Sequence, residues 1–351
     1  MTRTRTRTTL YALVAAGSAF ALAACGGSAG SAESSSSAAT SASGGEGALV
    51  VYSGRDEELV QPLIDRFQTS SGITVQVRYG STTELAGQLV EEGAASPAHV
   101  FLAQDAGALG AVSEAKLFTT LPTATTSKVP AKYTSKDGSW VGLTGRARVI
   151  AYDSQKYKEA DVPAQVTDLV KPEWKGKVGL APSNASFQAF VTAMRLKDGE
   201  AAAKAWLAGL VANGAKSFES NGDILEAVNS GALDLGLINH YYWARSEADP
   251  KTLRAQLKFG APGSTSALVN VTGAGILSAK AGPQAQQFVD YLLSDAGQAY
   301  FVDETYEYPL VGSKGPANVP PLAELDGPDI NLSELSSVKE TVQLITEAGL
   351  L

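Results

Sequence analysis

From residue 48 onward, short apolar runs alternate with amphipathic stretches, and that alternation leaves few folds open to the chain. "ALVVYS" (48–53) reads as a strand. In the following "DEELVQPLIDRFQTSSG", Leu59, Val60, Leu63, Ile64 and Phe67 recur at helical spacing, and Gly72 closes the segment. "ITVQVRY" (73–79) alternates as a strand, and "STTELAGQLVEEG" opens a helix with Ser81 and Glu84 in capping-box positions. "HVFLA" (99–103) is a buried-type strand. The order β-α-β-α-β predicts a mostly parallel sheet with helices on both faces.

The same order returns later. "VGLAP" (178–182) is a strand, "ASFQAFVTAMRL" and "DILEAVNSG" are helices, and "ALDLGLIN" (232–239) is a strand. Between the two sets lies the extended "SWVGLTGRARVIAYD" (139–153), and "ALVNVTGAGILS" (267–278) follows the second set. "PQAQQFVDYLLSDAGQAYFV" reads as one helix, and "SVKETVQLITEAGLL" places Val338, Val342, Ile345 and Ala348 on one side of another. Two α/β units joined by two extended crossings predict a two-lobed fold with a hinge. The first lobe covers 48–147, the second 148–266, and 267–351 returns to the first. Ligands of such sheets bind at the carboxyl ends of strands, which here face the cleft between the lobes.

The N-terminus carries a different message. Arg3, Arg5 and Arg7 precede an apolar run from Leu10 to Ala24, too short for a membrane span and suited to a secretion signal over residues 1–24. The run ends in Leu22-Ala23-Ala24-Cys25, which resembles a bacterial lipobox and implies lipid attachment at Cys25, the only cysteine of the chain. Residues 26–47, "GGSAGSAESSSSAATSASGGEG", have almost nothing to bury, so 25–47 reads as a lipid-anchored flexible tether. Such a protein sits outside the cytoplasmic membrane, anchored to its outer face. Loss of the three arginines takes the formal charge from −8 to −11, which argues against nucleic acid and against anionic lipid surfaces.

No GxxxxGK[ST], HExxH or CxxC occurs, and the globular part holds no GxSxG. His99 and His240 are the only histidines, which excludes a three-histidine metal site, and a globule without cysteine excludes thiolate chemistry. A two-lobed chain without a catalytic signature reads as a binding protein and not an enzyme. In "GLINHYYWARSEADP", Tyr241 and Tyr242 then stand at the end of a buried strand, where core filling is the ordinary role of an aromatic pair.

In this order, "VYSGRDEELV", "LAGQLVEEG", "AHVFLAQDAGALG", "GLTGRARV", "PEWKGKVGLAPSNASFQAF", "NHYYW", "EYPL" and "LITEAGLL" carry a likeness. From about Leu49 to Leu351 the chain resembles the ferric-ion-binding proteins of bacterial ABC importers, the bacterial transferrins. The resemblance implies a monomer that closes two lobes over one Fe(III) with a synergistic anion, carbonate or phosphate. It further implies delivery to a membrane permease and its ATPase.

The family's signature ligands fall on Tyr241 and Tyr242. Fe(III) is hard and prefers anionic oxygen. A free phenol has a pKa of about 10, and a coordinated trivalent ion can remove its proton near neutrality. In the first lobe the family's ligand positions fall on Asp56 and Glu57, and on Gln104, a poor Fe(III) ligand that leaves room for water or Asp105. Asp56 also fits a helix N-cap, and Glu57 fits the first helical turn. A third tyrosine of some relatives is Phe187 here. The anion implied by the resemblance falls on Ser183, Asn184 and Ser186 at a strand-to-helix turn, on Asn221 and Asn239, and on Arg146, which matches a carbonate-binding position. Arg146 also fits a hinge arginine paired with a carboxylate. Trp243 packs behind the tyrosines, and His240 reads as a satisfied histidine beside them. Two other readings stay open on the residues: the same fold binding a phosphonate- or thiamine-like anion without iron, and a secreted hydrolase using unpaired acids.

Overall fold

In the computed structural model, which describes residues 47–312 and 314–351, the apolar runs become strands of one sheet. The secretion signal, Cys25 and nearly all of the tether fall outside the described residues. The strands are β1 (Leu49–Ser53), β2 (Val75–Tyr79), β3 (Val100–Ala103), β4 (Trp140–Asp153), β5 (Val178–Leu180), β6 (Lys216–Ser217), β7 (Leu235–Asn239), β8 (Ala255–Phe259), β9 (Val269–Ile276) and β10 (Tyr308–Pro309). The helices are α1 (Glu57–Ser71), α2 (Thr82–Glu92), α3 (Ala106–Glu114), α4 (Thr123–Thr126), α5 (Ala185–Asp198), α6 (Glu200–Ala212), α7 (Asn221–Ser230), α8 (His240–Ala244), α9 (Pro283–Leu292), α10 (Asp295–Asp303) and α11 (Val338–Glu347). Among the described residues no helix is long and apolar enough to cross a membrane.

Sheet order is β2-β1-β3-β9-β4-β7-β5-β6, with β8 and β10 both on β4. The outer strands pair in parallel, β1 with β2 and β3 and β5 with β6 and β7, as strand-helix-strand units require. The crossing strands β4 and β9 run antiparallel to their neighbours, so the sheet is mixed. β4 is buried throughout and serves both lobes. From Trp140 to Ala147 it pairs with β9, and from Arg148 to Asp153 with β7 and β8. The exchange of partners falls at Ala147 and Arg148, the place expected for the hinge, and there Arg148 N–H donates to Leu268 O at 2.9 Å.

Local chemistry explains most elements. α1 buries the five apolar residues expected from their spacing, and Gly72 ends it in the left-handed region at φ 73°. The capping box at the next helix does not form. Ser81 is the N-cap of α2, but its side chain makes no capping bond. Thr82 is used instead, its hydroxyl donating to Gly54 O at 2.9 Å and accepting from Gln104 N–H at 3.2 Å. The long helix expected over 283–302 is two helices. Ser294 caps α10 through Gly297 N–H at 3.2 Å, and a Cβ at Gly297 would come within 2.5 Å of Tyr291 O. A serine N-cap inside an apolar periodic run competes with the helix it interrupts.

Gly54 is where the first lobe's loop presses on α2: an added Cβ would overlap Thr82 Oγ1 and stand 2.7 Å from Thr82 Cα. Gly54→Ala is therefore expected to cost about 1–3 kcal/mol through overpacking. Urea unfolding of the two proteins measures this, and equal midpoints would contradict it.

Candidate metal and anion site

β7 is buried along its length and ends at Asn239, where the chain turns into α8. Tyr241 is completely buried, while Tyr242 keeps part of its surface to solvent. Their rings stack with centroids 4.4 Å apart and planes 29° apart. The buried Tyr241 hydroxyl makes no well-formed hydrogen bond beyond its contact with the Tyr242 phenol, an arrangement that core filling alone does not favour, since a poorly satisfied buried hydroxyl is costly. Burial, then the neighbouring Tyr241 and Asp56, push the Tyr242 phenol well above its ordinary value, with Arg55 pulling the other way.

The flanking residues fix the pair in place. Trp243 donates Nε1–H to Ala255 O at 2.8 Å and packs in the core. His240 accepts from Ala147 N–H at Nδ1 (3.2 Å), so its proton sits on Nε2, 3.0 Å from Tyr306 O. It stacks on Tyr308 at 4.4 Å, and burial lowers its pKa to about 3. A neutral His240 thus ties α8 to the hinge and to the turn before β10, where Tyr306 has φ 57°.

On the first lobe, Asp56 is the N-cap residue of α1, yet its side chain makes no capping bond, and its charge bears on Tyr242 and Arg55. Glu57 lies in the first turn, where its charge bears on Tyr79 of β2. Gln104 follows β3 and is half-buried. Asp105 is buried and caps α3 through Ala108 N–H at 3.2 Å, with Oδ2 unpartnered. Burial raises its pKa while Arg146 opposes the rise.

The second-lobe polar residues form one network. Asn184 caps α5, its Oδ1 accepting from Ser186 N–H at 3.0 Å and from Ser186 Oγ at 2.6 Å. Asn239 Nδ2 donates to Ser186 Oγ at 3.1 Å. Arg148 donates to Asn221 Oδ1 at 3.0 Å, Asn239 Oδ1 at 3.4 Å and Leu237 O at 3.0 Å. Ser183 stands apart, exposed beside Phe218 and Leu350. Phe187 is core, stacked on Trp206 at 6.2 Å.

Two functional groups escaped the sequence. Arg148 is one: its hydrogen-bond partners are all neutral, and burial lowers its pKa to about 9, with Tyr242 opposing and Arg146 adding to the fall. Alternate residues of a strand share a face, so the spacing of Arg146 and Arg148 already paired them. Glu307, in "EYPL", is the other. It is fully buried, with Oε1 2.9 Å from Arg55 NH2 and 3.8 Å from Arg146 Nε, and Oε2 accepting from Thr144 and Thr305 hydroxyls at 3.0 and 3.3 Å. None of the three nitrogens of Arg146 has a hydrogen-bond partner. The lobes meet across the site, with Thr83 Oγ1 donating to Gln188 Oε1 at 3.1 Å and Arg245 3.6 Å from Glu58.

Among the described residues no three His, Cys, Asp or Glu side chains gather as a metal site. What gathers is a phenol pair, buried guanidinium groups in excess of carboxylates, and a chain of small polar residues. The model of a family described as bacterial extracellular solute-binding protein matches residues 95–330. The chain belongs to the bacterial extracellular solute-binding protein family. This solute-binding protein is 38% identical over 311 residues to the Fe(3+)-binding periplasmic protein of Serratia marcescens, covering 86% of its own length and 90% of the relative's. It is 34% identical over 310 residues to the major ferric iron-binding protein of Neisseria gonorrhoeae, covering 86% and 93%. Among solved structures it superposes on iron-bound HitA from Pseudomonas aeruginosa with TM-score 0.82 at 34% identity, covering 86% and 99%. On Trichodesmium FutA in complex with iron and citrate the TM-score is 0.70 at 28% identity, covering 87% and 100%.

Proposed function

We propose that this solute-binding protein captures ferric iron with a synergistic anion outside the cell membrane and hands it to the permease and ATPase of an ABC importer. The observation that carries the reading is the stacked tyrosine pair, with one buried hydroxyl that makes no well-formed hydrogen bond, set among buried guanidinium groups. Relatives named for ferric iron, covering most of both chains, support it.

In this reading Tyr241 and Tyr242 supply phenolate oxygen from the second lobe. Asp56, whose carboxylate is free of any capping bond, supplies the first-lobe oxygen. Gln104, half-buried after β3, is a further first-lobe candidate, and Glu57, whose charge bears on Tyr79, contributes least. Carbonate or phosphate takes the Ser186, Asn221 and Asn239 network beside Arg148, with Asn184 orienting Ser186. The unpartnered donors of Arg146 face the same need for an oxyanion. Because Tyr241 is buried when the lobes meet, iron enters an open form and closure follows. Cys25 carries the lipid anchor and the tether lets the monomeric globule reach its permease.

The test follows from proton balance. A phenol ordinarily holds its proton near neutrality, and burial pushes the Tyr242 phenol higher still. Iron must therefore expel a proton from each, and acid returns those protons in competition with iron. Affinity should fall by roughly a hundredfold per pH unit lowered if two protons leave. Competition against ferric citrate across pH, corrected for citrate's own protonation, measures the slope. A colourless ferric complex with pH-independent affinity would sink the reading, and tight anion binding without iron would favour a phosphonate- or thiamine-like cargo instead.

A further inference from the structure

Arg55 belongs to the first lobe but reaches the second. It follows β1, and its backbone is pinned on both sides. Its N–H donates to Ser53 Oγ at 3.2 Å, and Gly54 N–H donates to Leu102 O at 2.8 Å. The side chain is buried, with NH2 2.9 Å from the Glu307 carboxylate and its guanidinium carbon 5.7 Å from the centre of the Tyr241 ring. Asp56 is the next residue, so the backbone that places Arg55 also places the first lobe's free carboxylate.

We propose that Arg55 is a positioning residue for Tyr241, holding the phenol from across the cleft and stabilising its anion once iron is bound. The assignment rests on the ferric reading above. A buried cation near a neutral ring is attracted by the ring's quadrupole. When the phenol becomes a phenolate the attraction becomes charge to charge in a medium of low dielectric, and it strengthens as the site fills. Glu307, 2.9 Å away and itself buried, anchors the cation inside the protein. The same cation lowers the energy of the phenolate electrons that pass to iron under light, so it shifts the charge-transfer band to shorter wavelength.

The experiment uses the full-length protein loaded with ferric iron and carbonate, comparing wild type with Arg55→Gln and Arg55→Lys. In Arg55→Gln, Glu307 keeps Arg146 as its cationic neighbour, 3.8 Å away. Arg55→Gln should bind ferric iron about 10–100-fold more weakly, the effect typical of a residue that orients a ligand. Its band should move to longer wavelength. Arg55→Lys keeps the charge and should restore the band position more fully than the affinity, because an ammonium on a flexible stem is held less firmly than a planar guanidinium. Iron-free melting is recorded beside each. A purely structural role predicts lowered melting with the band unmoved, and that result overturns the proposal. So does an Arg55→Gln affinity within about twofold of wild type with the band in place. If wild type itself takes no colour, the ferric reading fails first, which separates the two failures.

Discussion

Carrying Tyr241→Phe and Tyr242→Phe together, the protein folds, stays colourless with ferric iron, and binds it at least about 10⁴-fold more weakly, roughly 5–6 kcal/mol. The size follows from chemistry: phenyl offers no donor atom, and a trivalent cation left with guanidinium neighbours meets repulsion in place of anionic oxygen. Tyr241→Phe alone has a second consequence. Its buried hydroxyl makes no well-formed hydrogen bond beyond its contact with the Tyr242 phenol, so deleting it removes a desolvation cost and leaves ring packing intact. The iron-free single variant should match or exceed wild-type stability, by up to about 1 kcal/mol. A residue that weakens the empty protein while serving the loaded one is the pattern expected of a binding site. Visible absorption and melting with and without iron check both statements. A surviving band removes the tyrosines from the ligand set, and melting several degrees lower means the hydroxyl has a structural partner.

Glu307→Gln should be the most damaging single polar change in the hinge region. The carboxylate has zero exposure and is the counter-charge of Arg55 and Arg146, themselves 2% and 1% exposed. Breaking a buried pair by removing one partner typically costs about 3–5 kcal/mol, because the other charge stays buried. For a globule of this size that lowers the melting midpoint by on the order of 10 °C. Buried charges are little screened, so the loss should persist at high salt. The control is Lys136→Gln at the exposed Lys136–Glu334 pair, whose 2.9 Å separation resembles that of the buried one. Side chains there are 67% and 54% exposed, and the expected cost is no more than about 0.5 kcal/mol. Similar stability losses in the two variants would contradict the account.

How far the sequence reached depends on what kind of physics each feature rests on. Apolar runs and periodicity located β1, α1, β2, α5 and β7, because a buried face imposes its pattern whatever the partner. Features set by competition were less legible. The capping box at Ser81 gave way to Thr82, which has a tertiary partner in Gly54. The helix over 283–302 broke at Ser294, where a cap formed inside an apolar run. β8 has only half-buried residues beyond Ala255, so it shows little alternation. At the site, the tyrosine pair stood out as adjacent letters, and the asparagines by their place at strand and helix ends. Arg148 and Glu307 did not, because their meaning lies in partners far along the chain: Asn221 for Arg148, Arg55 for Glu307.

The single long strand shared by both lobes has a consequence for how this architecture can change. Arg146 and Arg148 point to the same side only because one residue separates them, and they serve opposite flanks of the hinge. Inserting one amino acid between them would rotate every later side chain of that strand to the reverse face of the pleat. Substitutions can therefore accumulate along this ribbon, but its spacing is locked. Lengthening or shortening the chain is confined to the loops, and neither jaw can be lifted out without taking half of the other's central rib.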